Sequence, residues 1–189
     1  AIGVVQLTGV VGGSAKVRAS GYQLTNSIIT VNASSRSFTR GLAPLGVWAY
    51  YTDGSLKSEA EADSNAIGVA VVTANCGFVI DKLATDQNTG IRYGGYGKNL
   101  SNIGVVVTSD AATAKLDFDG EGNTTKIITA LSGYNDSYST GAPACEACRA
   151  AFGGKGYMGS LGEWNEAYAN KASVNSMMTK IGGAGINIA

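Results

Sequence analysis

The sequence predicts an α+β fold, and three observations carry that expectation. Up to residue 82, apolar residues alternate with polar ones or form short unbroken runs, as strands do. From residue 123 onward they recur at spacings of three and four behind recognisable cap residues, as amphipathic helices do. Glycine is abundant at 27 of 189 residues and proline rare at 2, which suits many tight turns between short strands. The expected order is therefore short antiparallel strands, then three to four helices, with a β-rich N-terminal segment.

Residues 1–45 contain period-two stretches such as AKVRASGYQL and SIITVNA and read as antiparallel strands. Charge is sparse there and no large aromatic core is evident, so this segment is expected to pack on the following domain or on another subunit. APLG at 43–46 marks the boundary with a second region, 46–189. Residues 46–52 read as a strand, Asp53-Gly54 as a turn and 55–57 as the return strand. AIGVAVVT and GFVIDK, joined through Ala74-Asn75, form an expected hairpin of nearly all-apolar strands. Residues 84–102 are polar and rich in Gly, Asn and Tyr, a long surface loop. Asn123 is the expected cap of a helix over TTKIITALSG, with Gly133 as its stop. Pro143 suits the first turn of a helix carrying the cysteines. Ser160 and Glu163 form an S-x-x-E capping box, and Leu161, Trp164 and Tyr168 then give the helix an apolar face. A last short helix is expected from about residue 173 to Ile181, before Gly182-Gly183; GINIA at the end reads as strand-like.

Composition excludes several functions. The 14 basic and 14 acidic residues cancel, and no basic block occurs, which argues against nucleic acid and against anionic membranes as partners. Histidine is absent, so no Ser-His-Asp or Cys-His relay and no His-ligated zinc can be built. No apolar run approaches the roughly 20 residues that span a bilayer. The chain opens at Ala1 without a charged n-region and apolar h-region, so no signal peptide is read; lacking Met, it reads as processed or excerpted. With apolar residues at 44% and charged ones at 15%, a folded domain is expected.

Four constellations invite chemistry. Cys145-x-x-Cys148 is half a zinc site at most, and with Cys76 the cysteine count is odd; Cys145, Cys148 and Phe152 more simply share the apolar stripe of a short helix. In DFDGEGN, Asp117, Asp119 and Glu121 alternate as in a calcium loop, yet the twelfth position holds Ile128 instead of a bidentate Glu, and a polar turn leading into a helix cap accounts for the same residues. RYGGYGKN lacks the P-loop pattern; Tyr93 and Tyr96 in it suit contacts with sugars or protein surfaces. Glu163 and Glu166 lie three apart at a helix start, where capping and solvation explain both. No metal and no cofactor is expected, and no catalytic residue is assigned.

The run WAYYTDGSL, AIGVAVVTANCGFVI, AKLDFDGEGNTTKIITAL and APACEACRAAF followed by GKGYMGSLGEWNEAYANK resembles the C-type-lectin-like domains of gut bacteria and their bacteriophages. That group is related to formylglycine-generating-enzyme-like and retroelement-diversified variable proteins. Its most specific piece, GYMGSLGEW-x-x-AY, is similar to the family's R-L-P-T-x-x-E-W-x-x-A helix, with Met158-Gly159 standing where Leu-Pro is usual. The resemblance covers roughly 46–185 and implies that Ser160, Glu163, Trp164 and Tyr168 are structural anchors, Trp164 being buried against the sheet. The family's ligand surface follows this point, so the expectation is a domain lacking its C-terminal binding part, with no family binding residue carried over. The function implied is non-enzymatic and extracellular: a virion or cell-surface protein, above all a bacteriophage fibre or other virion component with a recognition role. Expected partners are copies of itself, with a homotrimer favoured, and a host-surface glycan or protein. The alternative is a purely structural subunit, such as a capsid decoration or bacterial filament protein.

Overall fold

The computed structural model describes residues 3–6, 13–18, 28–33, 39–42, 44–83 and 90–185. It is an α+β arrangement of strands followed by helices. The backbone of β1 (Gly3–Gln6) pairs antiparallel with β4 (Thr39–Leu42), and β2 (Gly13–Arg18) with β3 (Ile28–Ala33). A four-stranded antiparallel sheet follows, built from β5 (Gly46–Tyr50), β6 (Leu56–Lys57), β7 (Gly68–Val72) and β8 (Gly77–Asp81) in the order β6-β5-β7-β8. The Asp53-Gly54 turn and the Ala74-Asn75 connection lie where the sequence puts them. Asp53 Oδ1 accepts from the Ser55 amide, and Thr73 Oγ1 from the Asn75 and Cys76 amides, so side chains satisfy both turns. The GINIA strand and the first part of the 84–102 loop fall largely outside the described residues.

Register explains the first core. Val47, Ala49, Val69, Val71, Phe78 and Ile80 share one face because Ala49 pairs with Val69, Val69 with Ile80, and Val71 with Phe78. Onto that face packs α5 (Lys171–Ile181), whose Val174, Met177, Met178 and Ile181 repeat at i, i+3, i+4 and i+7 and are all fully buried. Gly182, at φ +76°, ends α5 in the left-handed conformation, and the Ala184 amide then donates to the Lys82 carbonyl at the end of β8.

A second core lies among helices. It joins α2 (Gly120–Leu131) and α3 (Pro143–Gly154) through Ile127, Leu131, Ala142 and Cys145, with Leu100, Ile103 and Val105 of the preceding loop against them. Before it come a 3-10 turn, Ser101–Ile103, and a short helix, α1 (Ala111–Ala114), capped by Asp110; α4 (Leu161–Ala169) follows α3 and leads into α5. The described residues thus hold five helices, one more than expected, because four residues of α1 are too few to show a period. None of these helices is long and apolar enough to cross a membrane.

Two local expectations need correction. The cap of α2 is Asp119, not Asn123: Asp119 Oδ1 accepts from the Gly122 amide, and Asn123 sits inside the helix, donating its side chain to Asp117 Oδ2 at 2.7 Å. Starting one turn earlier buries Thr124, whose hydroxyl bonds the Gly120 carbonyl. Pro143 does open α3. The helical geometry fails at Ala151–Gly153, however, where Phe152 takes φ +50°, so Phe152 does not extend the stripe of Cys145 and Cys148.

Each core should therefore be sensitive to cavity formation. Leu131→Ala and Met178→Ala should each cost about 2–5 kcal/mol in urea unfolding. A cost well under 1 kcal/mol at either site would show that its cluster is not packed as described.

Candidate functional site

The capping box predicted at Ser160 forms completely. Glu163 Oε2 accepts from the Ser160 amide at 2.8 Å, and the Ser160 hydroxyl faces the Glu163 amide at 3.4 Å. Glu163 is only 5% exposed, far more buried than a surface cap requires. Its second oxygen accepts from the Tyr157 hydroxyl at 3.0 Å, and the Ser160 hydroxyl donates onward to the Asp117 carbonyl at 2.6 Å. Burial and the adjacent Glu163 charge push the Tyr157 phenol far above its usual range. Neighbouring backbone closes in: a Cβ on Gly120 would sit 2.3 Å from Glu163 Oε2, and one on Gly162 2.3 Å from the Asp117 carbonyl. Ser160 and Glu163 are thus both held by internal hydrogen bonds.

Trp164 is not buried as the resemblance implies, and Tyr168 is exposed as well. The buried side of α4 is Gly162, Glu163 and Ala167, while Leu161, Trp164 and Tyr168 are 46%, 39% and 54% exposed. Small residues let the α4 backbone approach the 117–120 turn, where the Gly162 amide donates to the Asp117 carbonyl, and that contact turns the larger side chains outward. Tyr168 instead lies under the Lys171 ammonium, 5.5 Å from its ring.

The acidic loop is committed to structure. Asp117 accepts from the Asp119 amide and the Asn123 side chain, and Asp119 caps α2 and meets Lys126 Nζ at 3.5 Å. Glu166, the other half of the carboxylate pair, accepts from Asn75 and does not converge with Glu163. Cys76 and Cys145 are buried and Cys148 is half-buried: desolvation, then Cys148 and Glu146, push the Cys145 thiol up to about 11, and desolvation raises Cys76 and Cys148. Among the described residues no three His, Cys, Asp or Glu side chains cluster as metal ligands.

Tyr93 and Tyr96 lead to a different place. Gly94 and Gly95, at φ +90° and +71°, carry the loop close against the second core: a Cβ on Gly94 would meet the Gly141 carbonyl at 2.3 Å. The loop is pinned on three sides, by Ala144 N–H to the Arg92 carbonyl, Tyr96 N–H to Asp136 Oδ2, and the Tyr134 hydroxyl to the Tyr96 carbonyl. Tyr96 and Tyr138, 70% and 58% exposed, meet edge to face with ring centres 5.2 Å apart. The Arg92 guanidinium lies 5.3 Å from the Tyr138 ring and donates to the Tyr138 carbonyl at 2.9 Å. Arg92, Tyr93, Tyr96, Asp136, Tyr138 and Ser139 line a shallow groove of about 350 Å³. Beside it, a wider cleft of about 590 Å³ runs between the 98–108 loop and α2.

Sequence reasoning found two of the groove's tyrosines and missed Arg92, Asp136 and Tyr138. The available signal was NDSYST, where Asp136 accepts from the Tyr138 and Ser139 amides and Asn135 bridges Thr140, a tight turn that presents an aromatic ring. These donors hold the Asp136 carboxyl below its usual range, the Tyr138 amide foremost. No model of a known protein family, no curated protein and no solved structure matches this chain.

Two outcomes follow for stability. Glu163→Ala strands the Tyr157 hydroxyl and the Ser160 amide and should cost about 2–3 kcal/mol. Trp164→Ala should cost about 1–2 kcal/mol, since at 39% exposed the residue buries less apolar area than a core ring. Urea unfolding of both variants decides; the reverse ranking would restore Trp164 as the anchor. On the alkaline side, the folded chain binds the cysteine and Tyr157 protons more tightly than the unfolded chain. Their contribution is complete below the ordinary thiol value of 9.0 and declines as pH rises toward 11. Melting temperature should fall across that window, and a flat profile would contradict the burial of Cys145.

Proposed function

We propose that this chain is a non-enzymatic recognition protein displayed on a surface, a fibre or other exposed component of a bacteriophage particle. Its residues 46–189 are read as a C-type-lectin-like scaffold and 1–45 as a β-rich assembly segment. The observation that supports recognition best is the exposed Tyr96–Tyr138 pair, held on well-bonded loops beside Arg92. Two rings left in water, with their backbone tied down, form a preorganised contact surface for a glycan or protein on a host cell. Against catalysis stand the absence of histidine, thiols raised by burial, and a buried carboxylate whose oxygens all accept internal hydrogen bonds. The scaffold reading draws on the S-x-x-E-W run and the capping box it forms.

A purely structural subunit is the second reading, and the outward stripe of Leu161, Trp164 and Tyr168 favours it, as a face suited to packing between subunits. For the assembly segment, a homotrimer is proposed.

Flow cytometry of the labelled protein on a panel of intact gut-bacterial isolates tests recognition. At least one isolate should bind it, and Tyr96→Ala with Tyr138→Ala should lose about tenfold in affinity while melting unchanged. Equal staining by wild type and the double variant, or none at all, would favour the structural subunit. Light scattering of the full chain beside a chain beginning at Gly46 tests assembly: the first should be oligomeric and the second monomeric, and two monomers of equal stability would remove the assembly role.

A further inference from the structure

We infer that the Tyr96–Tyr138 groove takes an acidic sugar, one carrying a carboxylate or sulfate, with its ring against the tyrosines and its charge at Arg92. This inference rests on the recognition reading above and names the ligand class of the same site.

The groove's balance of donors and acceptors carries it. Its one carboxylate, Asp136, is already used: Oδ1 accepts from the Tyr138 and Ser139 amides, both at 2.7 Å, and Oδ2 from the Tyr96 amide at 2.8 Å, with the Ser139 hydroxyl beside both. That leaves a ligand no free carboxylate acceptor, only the phenol and hydroxyl oxygens. Donors remain in excess. Of the five N–H groups of Arg92, one donates to the Tyr138 carbonyl, and among the described residues the phenol groups of Tyr96 and Tyr138 are engaged by no side chain. Arg92 belongs to no ion pair among the described residues.

A second cation extends the row. The Tyr134 hydroxyl holds the Tyr96 carbonyl, and Lys98 Nζ lies 5.3 Å from the Tyr134 ring, likewise outside any described ion pair. Arg92 is thus the cation of the groove itself, and Lys98, which lines the neighbouring cleft, is a second one beside Tyr134. A neutral sugar presents hydroxyls that need acceptors as well as donors; a uronate or sulfated sugar presents acceptors in the place where donors are unused. Its C–H face suits an exposed tyrosine ring, and the groove is at the small end of ligand-sized clefts. Single-stranded nucleic acid would also use rings and cations, but it needs a positively charged track, and this chain has 14 basic against 14 acidic residues.

The test is retention of the full chain on immobilised alginate, polygalacturonate and chondroitin sulfate, beside dextran, mannan and oligo(dT), at physiological salt with and without EDTA. At least one acidic polymer should retain it, with affinity falling as salt rises. Arg92→Gln should weaken that binding about tenfold or more. Lys98→Gln, which disturbs no hydrogen bond described here, should weaken it severalfold at unchanged melting temperature. Equal retention on dextran or mannan would overturn the acidic class and leave recognition standing. Preference for oligo(dT), or retention on none of the polymers, would overturn the inference, and staining of intact cells then decides separately whether recognition survives. Undiminished binding by Arg92→Gln and Lys98→Gln together would also overturn it.

Discussion

The carboxylate of Glu163 is the group on which the helical half of the molecule most depends. A buried carboxylate left without donors is costly enough that it would take up a proton or force the structure open. Here the Ser160 amide donates to one oxygen and the Tyr157 hydroxyl to the other, so both are satisfied where water is excluded. Three pieces of chain are located by that single group: the start of α4, the 157–160 approach, and the 117–120 turn that touches Ser160 and Gly162. Asn75, in the β7–β8 connection, donates its side chain to Glu166 of α4, which brings the sheet into the same neighbourhood.

From that junction the two cores divide the work. The sheet and α5 form a conventional layer in which side-chain register on three strands selects one face for Val174, Met177, Met178 and Ile181. The α2–α3 cluster is smaller, yet it supports the groove. Leu131 and Ala142 sit beneath the Gly94-Gly95 segment, and the carbonyl of Gly141 lies where any larger residue at 94 would collide. Tyr96 is thus exposed in its ring but fixed in its backbone. Under the proposed recognition role, that combination limits the ordering entropy lost on binding.

The exposure of Leu161, Trp164 and Tyr168 follows from the same junction. A helix with glycine and alanine on one side can bring its backbone against another turn, gaining hydrogen bonds to the Asp117 carbonyl and closure around Glu163. Large side chains on that side would hold the backbones apart. Apolar periodicity marks a stripe correctly but does not say which way the stripe faces when a buried polar network competes for the interior.

By itself, the sequence determined the α+β class, the sheet's two turns, the Ser160–Glu163 box, Pro143 at the start of α3 and the end of α5 at Gly182. Each rests on interactions within four or five residues, which local chemistry specifies without help. Tertiary structure decided that Asp119 rather than Asn123 caps α2, since Thr124 is buried where its hydroxyl accepts from the Met158 amide 34 residues away. It also turned Trp164 outward and Glu163 inward. Of the groove, Tyr93 and Tyr96 were legible as aromatics in a polar glycine-rich loop. Arg92 and Tyr96 meet Tyr138 and Asp136 only across some forty residues of intervening chain, where the contact arises from how α2 and α3 pack, and no local signal encodes that distance.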